Sequence, residues 1–213
     1  MIKMAYKEKL IVAVTSNTEK QVTYREQLGK YRRALNNEFY FEAMLIVYAM
    51  LEDRMRSFLY HIGALRRSDD PKLNVSQTKG ILRSIYFGSD KAAFGQKMDL
   101  NQISTKENLI RATVIWAMEY EGVPNDRYLS ALKREYEDCL DMDGLLTVLD
   151  DVDTWRDYRN EIIHGLLNKN VNSVNEDLKA KVEDGMSYAR FIDSQVKALK
   201  RKDNIRKKMK IKR

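Results

Sequence analysis

The sequence predicts an all-α fold: an up-and-down helical bundle with extra helices and a basic C-terminal tail. Apolar residues make up 44% of the 213 positions, which is enough to bury a substantial core. Nine glycines and two prolines are too few for the many tight turns of a β-sandwich or β-barrel. In the longest segments, apolar residues recur every three or four positions, as they do on one face of a helix. We therefore expect an N-terminal extension with a helix (residues 1–35), one helical bundle (36–199) and a tail (200–213).

The first half of the chain predicts three helices. Residues 10–14 could be a short strand or the beginning of a helix, and a charged helix is predicted from about Glu19 to Arg33. The next helix, 38–65, is the central one, and Pro71 lies in the break after it. A capping pair, Asn74 with Gln77, then opens a helix over 75–86, which a polar loop follows (87–102). The apolar stripe of the central helix comprises Phe41, Leu45, Tyr48, Leu51, Met55, Leu59 and Ile62.

Capping residues mark the helices of the second half. Ser104 with Glu107 has the spacing of a capping box and predicts a helix to about residue 121. Asp126 caps a helix through 139, and Asp143 caps one that reaches about 167. Ser173 with Glu176 opens the last helix, which passes residue 196. The longest helices are therefore predicted near 38–65, 143–167 and 173–199, and the buried stripe of the second of these comprises Leu145, Leu149, Val152, Ile163 and Leu166.

The composition also indicates whether to expect a metal or cofactor and in which cellular compartment the protein lies. Cys139 is the only cysteine and has no neighbouring Cys or His at metal-ligand spacing, so we expect a reducing compartment and no metal site. The methionines and aromatic residues at helical spacing are expected to be core, and the sequence has no glycine-rich phosphate loop, so we expect no cofactor. The N-terminal apolar run is only five residues long, which is too short for a signal peptide, and no later segment is long enough to span a membrane. These features predict a cytoplasmic protein.

Positive charge is concentrated at the C-terminus. From Lys197 to Arg213 there are ten basic residues and one acid, Asp203, so this segment carries +9, the remaining chain carries −2, and the total is +7. Such a tail could bind phosphate backbones through counterion release, or it could be a solvated end that keeps the protein soluble.

One local cluster, residues 154–165 (TWRDYRNEIIHG), combines the residue types of a catalytic site. At 100° per residue, Asp153, Asp157, Asn160 and His164 share a helix face next to the apolar stripe. Arg159 falls on the stripe itself, where an unpaired guanidinium would be costly to bury, so it must have a partner or line a cleft. The alternative is that Arg159 and His164 only pack and pair within the bundle.

Arg159, Asn160, three further residues, His164 and a glycine, on a late helix of a small all-α bundle, resemble the motif of the HEPN (higher eukaryotes and prokaryotes nucleotide-binding) family. The resemblance covers about residues 36–199. It implies a homodimer in which two copies of the motif face one cleft and cut RNA without a metal. Arg159 and His164 would then be catalytic, with Asn160 in support. Family toxins with a nucleotidyltransferase antitoxin often carry a tyrosine two positions after the histidine, where this chain has Leu166.

The chemistry implied by the resemblance is coherent. Metal-free RNA cleavage needs a base, an acid and positive charge on the phosphorane, and imidazole and guanidinium groups can supply these. One histidine cannot easily be both base and acid, which favours a dimer. Asn160 could orient the imidazole or bind the phosphate. Asp157 could pair with Arg156 or polarise a histidine.

Three functions are compatible with these sequence features. The first is a metal-independent RNA endonuclease that leaves 2′,3′-cyclic phosphate ends and acts as a toxin in a toxin–antitoxin or phage-defence system, with or without a cognate antitoxin. The second is a nonenzymatic module of the same fold that binds RNA or a protein partner, and the third is a purely structural bundle. His61, with Arg56, either reaches the same cleft or packs at a helix end. At least one of Glu52 and Asp53 could face inward, and a buried acid that faced Arg159 would help to explain how that arginine is tolerated.

Overall fold

The computed structural model describes residues 17–65, 100–122, 127–165, 168, 170–202 and 205. Within these ranges the chain forms six α-helices and no β-strand, which confirms the predicted all-α fold. The three longest helices are α2, α5 and α6, as the sequence predicts. The helices are α1 (Asn17–Asn36), α2 (Tyr40–His61), α3 (Ile103–Glu119), α4 (Arg127–Glu137), α5 (Met142–Gly165) and α6 (Val171–Arg201).

Helix α2 is the centre of the bundle. It packs along α6 and also contacts α1 and α3, and α5 closes the bundle against α3 and α6. Apolar residues of α2 such as Met44, Leu51 and Met55 are fully buried. One residue of the predicted buried stripe, Leu45, is 41% exposed. It lies at the margin of the helix face that the neighbouring helices cover.

The two ends of α2 depend on residues with positive φ. Glu38 before the helix has φ 59°, and Gly63 after it has φ 91°. Beyond the last turn, the amide of Ala64 donates to the carbonyl of Leu59 at 2.9 Å, which closes the helix in a Schellman-type cap. The prediction that this helix runs from residue 38 to 65 is therefore too long by a few residues, since the left-handed residues end the helical geometry.

The capping residues predicted from the sequence are displaced in three helices. Gln102 precedes α3, so Ser104 lies inside that helix and does not cap it. Asp141 caps α5 in place of Asp143, because its Oδ1 accepts a hydrogen bond from the amide of Gly144 at 3.0 Å. Helix α6 begins at Val171, so Ser173 is likewise inside the helix. Several polar residues compete for each cap, and tertiary packing selects among them.

Helices α5 and α6 are joined through Trp155. Its indole Nε1 donates to the carbonyl of Lys181 at 2.6 Å, and its ring lies against the backbone of α6 at Gly185. A Cβ atom at position 185 would lie 2.7 Å from ring carbons of Trp155. Glycine in mid-helix is unfavourable by itself, so its presence here is explained by the close approach of the indole.

The same substitution, glycine to alanine, should have opposite effects on stability at two helical glycines, Gly185 and Gly29, because only Gly185 has a close neighbour. Gly185→Ala should lower the free energy of unfolding by about 1–3 kcal/mol, because the new methyl group overlaps a ring that cannot move aside. Gly29→Ala in α1 should raise it by up to about 1 kcal/mol, since the nearest atom to its Cβ is 3.6 Å away. Urea unfolding of both variants measures these changes. Stabilisation by Gly185→Ala would contradict the packing described here.

Some sequence predictions lie outside the described residues: the segment 10–14, the break at Pro71, the helix over 75–86 with its Asn74 and Gln77 cap, most of the loop that follows, Asp126, Leu166 and most of the basic tail. In the part of the chain that is described, no helix is both long and apolar enough to cross a bilayer.

Candidate active site

The predicted motif lies in the last two turns of α5. This helix is continuous from Met142 to Gly165, so Asp153, Asp157, Asn160 and His164 do share one face. His164 is exposed to solvent, and Asn160 is half-buried one turn before it. The imidazole is therefore at the surface, where a second molecule can reach it.

Arg159 is held by an aromatic partner from α2. Its guanidinium carbon lies 3.9 Å from the centre of the Tyr48 ring, in the geometry of a cation–π contact. Tyr48 in turn stacks on Trp155 at a centroid distance of 6.5 Å and an interplanar angle of 15°. The Nε of Arg159 is buried and makes no hydrogen bond. The sequence predicted that Arg159 must have a partner or line a cleft. In the structure the aromatic ring of Tyr48 is that partner.

The two acids of α2 considered as partners of Arg159 pair with lysines instead. Glu52 accepts a hydrogen bond at 2.9 Å from the buried ammonium of Lys106, and Asp53 pairs with Lys20 of α1 at 2.7 Å. Both carboxylates are thus engaged by lysines of other helices. Among the described residues, Arg159 forms no salt bridge with a carboxylate, and its guanidinium contacts the Tyr48 ring.

Two half-exposed apolar side chains flank the contact between Tyr48 and Arg159. Leu45 lies one turn before Tyr48 on α2, and Ile163 lies one turn after Arg159 on α5, with exposures of 41% and 38%. The sequence predicted Ile163 in the buried stripe, but Ile162 takes that place with 3% exposure. The stripe of α5 passes through Trp155 and Arg159 to Ile162, which turns Ile163 towards solvent next to His164.

The acidic side chains earlier on the same face are engaged by arginines. Arg156 contacts the buried carboxylate of Glu107 on α3 and pairs with Asp153 at 2.7 Å and with Asp157 at 3.6 Å. Arg111 of α3 pairs with Asp150 at 2.7 Å. Of the two roles considered for Asp157, the structure supports the ion pair with Arg156. The network connects α3 to α5 and fixes the helix that carries Arg159 and His164.

Glu107 is the residue of this network whose role the sequence did not reveal. It was predicted to close a capping box, but it is 1% exposed and faces α5. Burial raises the pKa of its carboxyl to about 8, and Asp153 adds to the effect, while the charge of Arg156 opposes it. A carboxyl that stays protonated near neutral pH can donate a hydrogen bond to Asp153.

This shift predicts how stability depends on pH. Between about pH 4.5 and 8 the folded state keeps a proton on Glu107 that the unfolded state releases, so the free energy of unfolding falls as pH rises, by up to about 1.4 kcal/mol per unit. Glu107→Gln should remove this part of the slope. Urea unfolding across that range measures it, with the exposed Glu176→Gln as the control. Equal slopes for wild type and Glu107→Gln would contradict the assignment.

The second histidine lies elsewhere. His61 lines a cleft between α1, α2 and α6 with Arg54, and its ring meets that of Tyr60 edge-on at 5.1 Å. Arg56 instead pairs with Glu52 at 3.4 Å, on the side of α2 that carries Tyr48. His61 therefore does not lie in the cleft of Arg159, and no contact between Arg56 and the motif on α5 is observed among the described residues.

Comparison of the chain with protein-family models, curated proteins and solved structures finds no significant match. Among the described residues, no three His, Cys, Asp or Glu side chains converge in a way that could hold a metal ion.

Proposed function

We propose that this protein is a metal-independent RNA endonuclease that acts as a homodimer, with Arg159 and His164 as catalytic residues and Asn160 in support. The observation that carries the proposal is the exposure of His164 at the end of α5, one turn beyond a guanidinium whose Nε has no hydrogen-bond partner. The resemblance to the HEPN motif supports the same reaction.

The proposed reaction needs only these groups. An imidazole takes the proton from the 2′-hydroxyl, whose oxygen attacks the adjacent phosphorus and forms a new P–O2′ bond. The bond from phosphorus to the 5′-oxygen breaks, and a second imidazole donates a proton to that oxygen. The guanidinium of Arg159 stabilises the negative charge that develops on the phosphorane. The products are a 2′,3′-cyclic phosphate and a 5′-hydroxyl end.

A twofold dimer would supply the second imidazole. Each chain carries one His164, and the base and the acid must lie on opposite sides of the scissile phosphate, so His164 of the partner subunit takes the second role. The half-exposed Leu45 and Ile163 beside the motif are apolar side chains that a second copy could cover. A dimer formed through this surface would bring both motifs to its axis.

The resemblance further suggests the biological role of a cytoplasmic toxin that cuts transcripts or tRNA in a toxin–antitoxin or phage-defence system. A cognate antitoxin would then have to block the face of α5 that carries His164 or prevent the dimer from forming. The first mode predicts that an inhibitory partner protects His164 from modification by diethyl pyrocarbonate.

Cleavage of single-stranded RNA in excess EDTA tests the proposed function. We expect fragments with 2′,3′-cyclic phosphate and 5′-hydroxyl ends, and no cleavage of an oligonucleotide with 2′-O-methyl groups, which lacks the nucleophile. Loss of cleavage in EDTA would contradict the mechanism. Binding of RNA or of a protein without any cleavage would instead favour the nonenzymatic module.

A further inference from the structure

A second concave surface lies on the other side of α2. It is a cleft of about 730 Å³ between α1, α2 and α6. Ser57, one of its lining residues, is nine positions from Tyr48, or about 180° around the helix at 100° per residue. The cleft therefore faces away from Arg159 and His164. Its walls are formed by Lys20, Gln21, Tyr24, Arg54, Ser57, Tyr60, His61 and Lys200.

Cationic side chains from three helices converge on this cleft. Lys20 comes from α1, Arg54 from α2 and Lys200 from α6. Two carboxylates partly balance them: Asp53 pairs with Lys20 and Arg54, and Asp193 pairs with Arg54 at 2.7 Å.

Both aspartates stay ionised. Burial alone would raise the pKa of Asp53, but Lys20 and Arg54 outweigh it and lower that pKa. For Asp193, hydrogen bonds from Lys197 and Arg54 likewise outweigh burial and lower the pKa. Lys197 also pairs with Asp193 at 2.7 Å, but it is largely exposed and does not line the cleft. Among the described residues, the three lining cations therefore face two carboxylates, an excess of one positive charge.

The positive charge of the neighbouring side chains affects the protonation of Lys200. Desolvation in the cleft, followed by the positive charge of Arg54 and Lys20, lowers the pKa of its ammonium. Lys200 forms no ion pair with another described residue. The Nε of Arg54 is buried and has no hydrogen-bond partner. Lys200 is therefore the cation of the cleft that an entering anion could pair with, while Lys20 and Arg54 already pair with carboxylates.

The aromatic rings of the cleft are already engaged. The guanidinium carbon of Arg54 lies 4.3 Å from the centre of the Tyr24 ring, and Tyr60 meets His61 edge-on. The Tyr24 hydroxyl donates to Asp53 at 3.0 Å. Because these rings have partners, the described features favour a compact anion over a ligand that binds by base stacking.

We propose that this cleft binds a phosphate dianion between Lys20, Arg54 and Lys200, either as inorganic phosphate or as the 5′-terminal phosphate of an RNA chain. A phosphate monoester carries close to two negative charges at neutral pH, so it is attracted to a cleft whose lining cations outnumber the nearby carboxylates. Ammonium and guanidinium groups form charge-assisted hydrogen bonds with its oxygens. The site does not depend on the proposed nuclease activity, because none of its residues belongs to the motif on α5.

Titration calorimetry with the full chain tests the site with three probes: inorganic phosphate, a 5′-phosphorylated RNA hexamer and the same hexamer with a 5′-hydroxyl. Both hexamers carry 2′-O-methyl groups, so the proposed nuclease reaction cannot consume them. We expect saturable binding of phosphate, or tighter binding of the 5′-phosphorylated hexamer than of its 5′-hydroxyl counterpart. The first result identifies free phosphate as the ligand, and the second identifies an RNA end.

Lys200→Gln should weaken the phosphate-dependent binding by about tenfold or more, since it removes one charged donor. Lys20→Gln should do the same, and both side chains are accessible enough for the fold to be retained. Lys179→Gln is the matched control, because this lysine is exposed on the same helix about 30 Å away along its axis. Absence of any phosphate-dependent binding, or an equal loss in the control, would overturn the proposal. RNA cleavage by Lys200→Gln is measured in parallel, and normal cleavage together with lost phosphate binding separates this site from the nuclease.

Discussion

Replacement of His164 by alanine is expected to lower RNA cleavage by about a thousandfold or more, because it removes both proton transfers of the proposed reaction. The side chain is exposed, so the thermal unfolding temperature should not change. His164→Gln should be equally inactive, since an amide keeps a polar group of similar size but cannot exchange a proton near neutral pH. Gel analysis of RNA fragments with purified protein measures the effect. Cleavage by His164→Gln at the wild-type rate would refute the role of the imidazole.

Mixing wild-type and His164→Ala chains tests whether one site needs both copies. If subunits exchange freely in an equal mixture, about a quarter of the dimers contain two wild-type chains. If each site needs two imidazoles, the mixture should therefore cleave RNA at about a quarter of the rate of the same total amount of wild-type protein. If the two sites of a dimer are independent, the rate should be about half. Sedimentation of the mixture checks that dimers form. Retention of half the activity by a fully exchanged dimer would show that one His164 is sufficient.

Replacement of Arg159 by glutamine is expected to reduce kcat by about a hundredfold to a thousandfold, because the phosphorane loses a charged donor. Loss of the contact with the Tyr48 ring should also lower the free energy of unfolding, by about 1 kcal/mol. Arg159→Lys should recover stability better than activity, since an ammonium keeps the charge but lacks the planar fork of a guanidinium. Single-turnover cleavage and urea unfolding separate the two effects.

The control for Arg159 is Arg190→Gln, which removes an exposed arginine from α6. It should leave both kcat and the unfolding free energy within error of the wild-type values. If Arg190→Gln slows cleavage as much as Arg159→Gln does, the arginines contribute only general attraction for RNA. An Arg159→Gln variant that is destabilised but fully active would assign this residue to packing alone.

The sequence predicts which segments form helices, but it predicts the first and last residues of those helices less accurately. The repeat of apolar residues along α2, α5 and α6 sets their periodicity and approximate length, and no other regular structure satisfies it. The boundaries depend on competition among nearby polar residues, so Asp141 rather than Asp143 caps α5. The same limit explains why the sequence places Ile163 in the core instead of Ile162, since neighbouring positions on a helix differ by only 100°.

The partners of charged residues were the least predictable feature. The sequence left an acid of α2 as one possible partner of Arg159, and it predicts a capping role for Glu107 in its own helix. In the structure Arg159 lies on Tyr48, and Glu107 meets Arg156, which is 49 positions later in the chain. The sequence contains no local signal for such pairs, because they depend on how two helices are rotated against each other.

By itself, the sequence determined that the described residues form helices and which segments form the longest ones. It also determined that Asn160 and His164 share a face of α5. These properties depend on the periodicity of residues within one segment. Only the tertiary structure decided that His164 is exposed, that Tyr48 is the partner of Arg159, and that Lys20, Arg54 and Lys200 surround one cleft. Those three cations are separated by 34 and 146 positions along the chain, and only the packing of α1 and α6 against α2 brings them together.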